Sequence, residues 1–270
     1  MRSNAVRPFY QDDHVTIYHG DCREIVPTLG SRFDMVLVDP PYGTTHLKWD
    51  RIIPFDVMWG FLDARIKPTT PMLFFGSEPF STGLRSSNLG MFRYDWVWLK
   101  TNPTGFLNAK KMPLKNHELI SVFYQKLPKY HPVMRRVDKG GIGRIRRNSE
   151  AKRRGEQQWR GISPATACKY AYVEKGLRYP TSVIECSNFN GALFGNVKNA
   201  TLHPTQKPLA LCEYLIATYT DAGDSVLDFT AGSGSTGRAA KNLGRRSTLI
   251  EIDERYCEIA AKRMCEEARG

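Results

Sequence analysis

Apolar and polar positions along the first hundred residues alternate in blocks that predict strands and helices in turn. Residues 33–38, apart from Asp34, and residues 71–75 are apolar runs with the length of buried strands. Between them, residues 57–66 place apolar side chains at helical spacing, and Pro68 ends that pattern. A short strand is expected at 16–19. Strands that alternate with helices predict a mostly parallel sheet with both faces covered.

Two further regular regions follow. Residues 94–99 and 119–124 are expected to form an antiparallel pair, joined by a loop that carries Lys110, Lys111 and Lys115. Near the C-terminus the strand–helix alternation returns, and its first helix has a proline in the first turn. The elements expected there are helix 208–219, strand 226–229, helix 235–243, strand 248–252 and helix 254–265.

Between these regions the apolar pattern breaks down. Residues 126–178 contain fifteen Lys or Arg and four acidic residues, so this segment carries +11 of the net charge of +12. A charge run is usually a solvated linker, but Trp159, Tyr170, Tyr172 and Tyr179 favour a small foldable module. Positive charge concentrated in one insert indicates a polyanionic partner.

Composition limits the classes of protein that remain. The 270 residues are 41% hydrophobic, which is typical of a folded domain and excludes wholesale disorder. No apolar run has the length of a membrane span, and the first fifteen residues lack the apolar stretch of a secretory signal, so we expect a cytoplasmic protein. The six cysteines form no Cys-x-x-Cys pair, so we expect reduced thiols and no metal site.

A glycine-rich stretch, Phe229-Thr-Ala-Gly-Ser-Gly-Ser-Thr-Gly237, follows a predicted strand and opens the next helix. Glycines let the backbone turn tightly there and approach a nucleotide-like ligand. Glu251 ends the following predicted strand, where its carboxylate is placed to accept hydrogen bonds from ribose hydroxyls. The stretch also matches Gly-x-Gly-x-x-Gly, so NAD and S-adenosylmethionine both stay open as ligands. A tight turn without a ligand is the structural alternative.

The tetrapeptide Asp39-Pro40-Pro41-Tyr42 follows a buried strand at the edge where ligands bind in open α/β sheets. Its prolines fix the directions of the Asp39 carboxylate and the Pro40 carbonyl, which are both hydrogen-bond acceptors. Two such acceptors can hold both N–H groups of an amine out of its ring plane, which makes the nitrogen nucleophilic toward a methyl sulfonium. Tyr42 offers an aromatic face to an extruded base. A rigid strand-ending turn is the structural alternative, which the glycine-rich stretch disfavours.

Together the two motifs resemble those of the amino-methyltransferases of DNA, which carry Asp-Pro-Pro-Tyr and a Phe-x-Gly-x-Gly loop. Here Asp-Pro-Pro-Tyr precedes the basic segment, His203-Pro-Thr-Gln-Lys-Pro208 and the glycine-rich stretch, an order that resembles the beta class of the family. The resemblance covers nearly the whole chain. It implies a Rossmann-like methyltransferase fold, with a mostly parallel sheet, an antiparallel edge hairpin and a basic DNA-recognition insert. The implied parts are a catalytic part at 1–126, the insert at 127–180 and a cofactor-binding part at 181–270.

The resemblance also assigns residues to S-adenosylmethionine as the cofactor. Asp21 would face its adenine amino group, and Thr205 and Lys207 would hold its methionine end, where a lysine suits the carboxylate. The structural alternatives are a turn residue for Asp21, a helix N-cap for Thr205 and a buried, hydrogen-bonded carboxylate for Asp228. The other implied cofactor residues are Asp228, Phe229, Gly232, Gly234, Ser235 and Glu251.

The target base is defined less narrowly. In the family, Asp at the first motif position mostly accompanies N6-adenine and Ser accompanies N4-cytosine, so Asp39 favours adenine while cytosine stays open. The resemblance implies site-specific methylation of double-stranded DNA with base flipping, carried out by Asp39, Pro40 and Tyr42. The resemblance also suggests two protein partners: a second copy of the chain, in a homodimer, and a cognate restriction endonuclease.

Basic residues of the insert are expected to grip DNA phosphates, and some of its arginines to read guanine edges. Lys100 and the lysines of the loop at 110–115 either contact DNA beside the active site or are solvated. The expected DNA-binding residues are Lys100, Arg135, Arg136, Arg144, Arg146, Arg147, Lys152, Arg153 and Arg154.

Three other functions stay open. A nicotinamide-dependent oxidoreductase would use the glycine pattern but leave the basic insert and the Asp39 motif idle. A DNA-binding protein that has lost catalysis is disfavoured by the intact acceptors and glycine-rich stretch. An RNA methyltransferase is disfavoured because no known RNA-binding module is visible in the sequence.

Overall fold

The computed structural model describes residues 6–44, 50–136, 177–188 and 206–266. The chain divides into two compact units, which we describe separately. The main unit consists of Met1–His131 and Ser182–Gly270, and the insert unit consists of Pro132–Thr181. The limits of 127–180 that the sequence predicts for a recognition domain stay a prediction.

The main unit is built on one mixed sheet. The strands of the described residues, in chain order, are β1 (Tyr10–Gln11), β2 (Val15–His19), β3 (Met35–Val38), β4 (Met72–Gly76), β5 (Phe92–Thr104), β6 (Lys115–Phe123), β7 (Arg135–Arg136), β8 (Leu177–Arg178), β9 (Val183–Cys186), β10 (Ser225–Asp228) and β11 (Arg246–Glu251). The order in the sheet is β1-β2-β11-β10-β3-β4-β6-β5-β9. In this order, the adjacent strands β2, β11, β10, β3 and β4 run parallel to one another, whereas β1 and β6 pair antiparallel with their neighbours.

Helices cover both faces of this sheet. They are α1 (Cys22–Ile25), α2 (Phe55–Asp63), α3 (Phe80–Ser87), α4 (Leu209–Tyr219), α5 (Ser235–Asn242) and α6 (Glu254–Cys265). Strand β3 shows the layering, because successive side chains of a strand point to opposite faces. Val36 and Val38 pack with α1, α2 and α3, whereas Met35 and Leu37 pack with α4 and α5. A strand buried on both faces in this way delivers the residue after it, Asp39, to the middle of the sheet edge.

Most of the expected elements are confirmed with ends displaced by a few residues. The last helix has the expected bounds, Glu254–Cys265. Helix α2 begins and ends earlier than the expected 57–66. It ends earlier because Ile66 lies outside the helix, where it forms an isolated bridge with Phe33. The mostly parallel sheet with an added antiparallel pair is also as expected.

Some elements differ from the expectation or were not expected. The antiparallel pair β5–β6 is not at the edge of the sheet, because β9 pairs parallel with β5, Val97 lying opposite Val183. The sequence gave no hydrophobic signal for strand β9, because its side chains alternate only between exposed and half-buried positions and neither face of the strand is fully buried. Helices α1 and α3 and strand β1 were also missed. Helix α1 is a single turn capped by Asp21, and α3 buries little beyond Phe80 and Leu84.

In the insert unit, the described residues include one short antiparallel pair. Strand β7 pairs with β8, with Arg135 opposite Arg178 and Arg136 opposite Leu177. Across all the described ranges, no helix combines the length and apolar character that a bilayer crossing requires.

Candidate active site

A cavity of about 840 Å³ opens where the parallel strands of the main unit end. Two loops face it: the aspartate loop, residues 39–44 after β3, and the glycine loop, residues 229–234 after β10. Glu251 at the end of β11 lines it too. The carboxyl ends of parallel strands meet at one edge of a sheet, which is where open α/β folds bind ligands. Motifs that lie far apart in the sequence therefore share one cavity of a size typical for small-molecule sites.

The Asp39 carboxylate is held by two partners. The Tyr42 hydroxyl donates to its Oδ1 at 2.6 Å, and the Lys207 ammonium donates to its Oδ2 at 2.6 Å. An ionised carboxylate has about four acceptor positions, so each oxygen can accept a further hydrogen bond. Asp39 is thus fixed in direction and still able to accept N–H donors from the cavity, as the sequence predicts for this motif.

Lys207 lies between two carboxylates. Its Nζ is also 3.4 Å from Oε2 of Glu118, and the other oxygen of Glu118 pairs with Lys100. The side chains of both lysines are only 9% exposed, and that of Glu118 is 14% exposed. The ammonium of Lys207 also lies 5.1 Å from the ring centroid of Phe75, at cation–π distance. We call Asp39, Lys207, Glu118 and Lys100 the charge chain.

The protonation states along the charge chain follow from burial and from the neighbouring charges. Burial, with the nearby carboxylates, raises the pKa of Tyr42 well above its usual value, so the hydroxyl stays protonated and donates. Burial alone would lower the pKa of Lys207, but Asp39 and Glu118 more than offset it and raise that pKa. Burial would raise the pKa of Glu118, but Lys207 and Lys100 lower it overall. Lys207 and Glu118 are therefore both charged at neutral pH.

Hydrogen bonds also fix the backbone of the aspartate loop. The Thr230 hydroxyl donates to the backbone carbonyl of Asp39 at 3.0 Å, which joins the aspartate loop to the glycine loop. The buried carboxylate of Asp50 accepts from the backbone N–H groups of Gly43 at 2.8 Å and Thr44 at 2.9 Å. The loop is therefore fixed both at its beginning and at its end.

The glycine loop is tied to Glu251. The backbone N–H of Gly232 donates to Oε2 of Glu251 at 2.7 Å, and that of Asp253 donates to Oε1 at 2.9 Å. Burial raises the pKa of Glu251 overall, although these backbone donors act in the opposite direction. Glu251 lines the cavity, where its carboxylate was expected to accept from ribose hydroxyls.

Gly234 at the end of the glycine loop and Gly237 after it are required by close packing. Gly234 has φ +77°, and a Cβ there would lie 2.9 Å from the Cβ of Ala260 on α6. A Cβ on Gly237 would lie 2.5 Å from Cδ1 of Leu249 on β11. Gly234 therefore faces α6 and not the cavity, and its need for glycine is steric.

Asp228 and Phe229 lie where β10 meets the glycine loop, and both line the cavity. The pKa of Asp228 is raised to about 7, because burial and the nearby charges of Asp39 and Glu251 outweigh the hydrogen bonds from Thr236 and Thr230 that lower it. Phe229 is buried.

The other expected cofactor residues are placed as follows. Asp21 lines the cavity, and its carboxylate caps α1 through the Arg23 N–H at 2.8 Å and pairs with the Arg23 guanidinium at 2.5 Å. Asp21 is therefore the N-cap of α1, a role that the sequence did not predict for it, and its role toward a cofactor stays a prediction. Ser235 lines the cavity, and Lys207 lies in it on Asp39. Thr205 lies outside the described residues.

Most of the expected DNA-binding residues lie outside the described part of the chain. Lys100 lines the cavity and pairs with Glu118, where an expected phosphate contact would compete with this partner. Arg135 is exposed on β7, and Arg136 lies in the same strand. Outside the described residues lie Arg144, Arg146, Arg147, Lys152, Arg153 and Arg154.

The sequence predicts reduced cysteines and no metal site. The five described cysteines form no disulfide, and no three His, Cys, Asp or Glu side chains converge in a metal-binding arrangement within the described ranges.

Sequence reasoning missed three residues that shape this site. Glu118 lies just before the expected strand 119–124 and follows Lys115-Asn-His117, so a further charged residue in this polar stretch gave no signal of burial. Thr230 and Asp50 gave none, because their partners lie on another loop or depend on a turn.

The chain can now be compared with known proteins. A family model described as DNA methylase (N6_N4_Mtase) matches residues 33–262. Type II methyltransferase M.HpaI of Haemophilus parainfluenzae is 27% identical over 250 residues, which are 88% of this chain and 69% of that protein. Type II methyltransferase M2.DpnII of Streptococcus pneumoniae is 46% identical over 77 residues, which are 28% of this chain and 29% of that protein.

Solved structures give the same picture of the fold. A complex of M1.HpyAVI with SAM has a TM-score of 0.61 at 23% identity, covering 93% of this chain and all of that one. The cytosine-N4-specific PvuII DNA methyltransferase has a TM-score of 0.64 at 17% identity, covering 98% of this chain and 91% of that one. These likenesses confirm the α/β methyltransferase fold. Since the family model spans most of the sequence, the chain belongs to the N6/N4 DNA methylase family and is a DNA methyltransferase.

Proposed function

We propose that this protein transfers a methyl group from S-adenosylmethionine to the N6 amino group of adenine in double-stranded DNA. The observation that carries the proposal is the Asp39 carboxylate, which is fixed at the end of β3 beside the glycine loop and faces the cavity. Asp39 and the adjoining Pro40 supply two acceptors, and an exocyclic amine supplies two donors. Together the two acceptors hold the N–H groups out of the plane of the base, so the lone pair of the nitrogen is no longer conjugated with the ring.

The residues around the cavity fit S-adenosylmethionine, which supplies a methyl sulfonium as the electrophile. Gly232, Ser235 and Glu251 all line the cavity, and the Gly232 N–H is bonded to the Glu251 carboxylate. Polar groups of the backbone and carboxylate oxygens can therefore contact the same cofactor. M1.HpyAVI, which shares this fold, has been solved as a complex with SAM. Asp21 and Lys207 line the same cavity and stay the expected partners of the two ends of the cofactor.

The choice of adenine rests on Asp39, since Asp at this motif position goes mostly with N6-adenine in the family that the chain resembles. N4-cytosine is the second candidate, and the likeness to the cytosine-N4-specific PvuII enzyme is the observation in its favour. That likeness concerns the fold, which both kinds of enzyme share, so it does not outweigh the motif.

An amino group inside a duplex is out of reach, so the target base has to leave the stack at a cost of about a few kcal/mol. Tyr42 supports this step. Its ring lines the cavity and packs against Phe80 at 5.1 Å between centroids, which keeps the aromatic surface rigid. A rigid aromatic surface beside the acceptors offers an extruded base a stacking partner.

The basic insert is proposed to bind the DNA phosphates, and the Type II relatives support site-specific methylation alongside a restriction endonuclease. A homodimer would match a palindromic site. A cytoplasmic location is proposed on the same grounds, because the DNA of a restriction–modification host is there.

The decisive experiment incubates the purified chain with unmethylated double-stranded DNA and methyl-labelled S-adenosylmethionine. Nucleoside mass spectrometry then identifies the modified base, and single-molecule sequencing identifies its context. We expect N6-methyladenine at one short sequence. N4-methylcytosine would select the second candidate, and DNA that stays unmodified across sequences and salt concentrations would overturn the proposal. Thermal shifts with S-adenosylhomocysteine and with NAD separate this function from a nicotinamide-dependent one, since only the former ligand should raise the melting temperature.

The role of the insert is tested by replacing Arg144, Arg146 and Arg147 together with glutamine. Each phosphate contact that is lost should reduce the slope of log affinity against log salt by about 0.9. An unchanged slope in a DNA titration would exclude these three arginines from phosphate contact.

A further inference from the structure

Glu118 is a buried acid in the cavity to which the proposed methyl transfer gives no task. It lies on β6, and its carboxylate lines the same cavity as Asp39. One oxygen pairs with Lys100. The other, Oε2, is buried, lies 3.4 Å from the Lys207 ammonium and accepts no hydrogen bond of ordinary geometry from any residue in the described ranges. A buried carboxylate oxygen left in this condition is costly, so its position asks for a reason.

The position of Lys207 supplies that reason. Its ammonium lies 2.6 Å from Oδ2 of Asp39 and 3.4 Å from Oε2 of Glu118, so it is attracted by both carboxylates at once. Charges alternate in sign along the charge chain, from Asp39 through Lys207 and Glu118 to Lys100. The four formal charges cancel, so removal of any one of them leaves a net charge beside Asp39.

We propose that Glu118 is a positioning residue that draws part of the Lys207 ammonium away from Asp39 and so keeps the Asp39 carboxylate available to the target amine. This inference rests on the proposed methylation of an exocyclic amine. An ammonium committed wholly to Asp39 competes with the amine for the same oxygen, and it neutralises the charge that makes this oxygen a strong acceptor. Glu118 opposes both effects through its own attraction for Lys207.

Other titratable groups also face Asp39 and have to be kept constant in a test. They are Tyr42 on the same loop, Asp228 at the end of β10 and Cys212 on α4. Tyr42 stays protonated because burial raises its pKa well above the usual value, and burial likewise raises the pKa of Cys212. Burial raises the pKa of Asp228 to about 7, so every variant compared retains Asp228.

The test compares Glu118→Gln with Lys100→Met, because the two changes alter the charge beside Asp39 in opposite directions. Single-turnover methylation is measured with saturating DNA and S-adenosylmethionine. We expect Glu118→Gln to slow the methyl-transfer step about tenfold, since the Lys207 ammonium then loses its second carboxylate and is committed to Asp39. Lys100→Met leaves Glu118 free to attract Lys207 more strongly and should not slow this step.

Two further variants separate positioning from folding. Glu118→Asp keeps the charge and should restore most of the rate that Glu118→Gln loses. Glu185→Gln removes an exposed carboxylate from β9 of the same sheet and should leave the rate unchanged. Calorimetric binding of S-adenosylmethionine and the melting temperature are recorded for each variant.

A wild-type rate for Glu118→Gln, or an equal loss of rate in Glu118→Gln and Lys100→Met, would overturn the inference. Loss of cofactor binding in Glu118→Gln, with no rescue by Glu118→Asp, would make Glu118 a structural residue and overturn it as well. These outcomes leave the proposed function intact provided the wild type methylates DNA. A wild type that methylates no base overturns both.

Discussion

The two loops that face the cavity are held in place by different kinds of interaction. The aspartate loop is held by side-chain charges and hydroxyls, with Lys207 and Tyr42 on the Asp39 carboxylate. The glycine loop is held by its backbone, through the Gly232 N–H and the tight turn at Gly234. The first arrangement is sensitive to a change of charge and the second to a change of volume. Chemistry is thus positioned electrostatically, whereas the neighbouring ligand surface is shaped sterically.

Removal of the central charge should break the aspartate loop's function most strongly. Asp39→Ala deletes the proposed acceptor for the amine, and we expect methyl transfer to fall by roughly a thousandfold, as when one oriented electrostatic group is removed. Lys207 keeps Glu118 as a partner, so cofactor binding by calorimetry should be largely retained. Asp56→Ala, on the exposed first turn of α2, is the matched control and should methylate at the wild-type rate. Turnover retained by Asp39→Ala would contradict the acceptor role.

A change of volume should break the glycine loop instead. Gly234→Ala forces a Cβ to within 2.9 Å of Ala260 at φ +77°, and we expect a loss of about 3 kcal/mol in the free energy of unfolding. Gly60→Ala is the matched control, because Gly60 lies within α2 with open space around it. That substitution should stabilise the protein by up to about 1 kcal/mol. Equal effects of the two changes in urea denaturation would show that the turn imposes no steric requirement.

Asp228 adds a pH dependence to the glycine side. Its pKa in the folded protein is about 7, which is above the usual value for an unfolded chain. The wild type therefore loses stability as pH rises from about 4 to about 7, because ionisation is favoured in the unfolded chain first. Asp228→Asn removes this loss, so its stability advantage over the wild type should grow by about 2 kcal/mol between about pH 5 and about pH 8.

Asp34→Asn provides the contrast for that measurement. Burial would raise the pKa of Asp34, but the Lys67 ammonium and Ser225 lower it overall. Its ionised form therefore stabilises the folded protein above the usual pKa, and this contribution is lost as pH falls. Asp34→Asn should be most destabilising at neutral pH and least in acid. Thermal melts in which both variants show the same trend with pH would contradict the assignment for Asp228.

The smallest effect is expected at the link between the two loops. Thr230→Val removes the hydrogen bond to the Asp39 carbonyl, which should cost about 1 kcal/mol in stability. It should also slow methyl transfer a few-fold, because the aspartate loop loses one of its supports. Thr28→Val removes a local hydrogen bond to the Ile25 carbonyl, away from the cavity, and should affect stability alone. A rate unaffected in both variants would show that the loops act independently.

Much of this architecture could be predicted because local patterns determine it. Apolar runs ended by Asp39-Pro-Pro and by Phe229 placed both loops after buried strands, and the structure confirms these positions. The glycines of the turn after β10 were identified for the same reason, since a strand-to-helix turn leaves a local pattern, and their role toward a cofactor stays a prediction. Strand β9 could not be found, because a half-exposed edge strand carries little periodicity.

The partners within the site were harder to predict than its members. Lys207 was identified, but its position between Asp39 and Glu118 depends on a strand pairing that brings β6 next to β4. Thr230 meets the Asp39 carbonyl across 191 positions of sequence. Contacts of this kind arise from the tertiary arrangement, and no local pattern in a single sequence encodes them.

The main unit is pinned on both sides of the segment that interrupts it. The His131 N–H donates to the Thr218 carbonyl of α4 at 2.7 Å, and the Ser182 carbonyl accepts from the Val97 N–H of β5 at 2.8 Å. Both hydrogen bonds tie the ends of the interruption to regular elements of the main unit, α4 and β5. We therefore expect changes of chain length between His131 and Ser182 to be tolerated without a change in the register of the sheet.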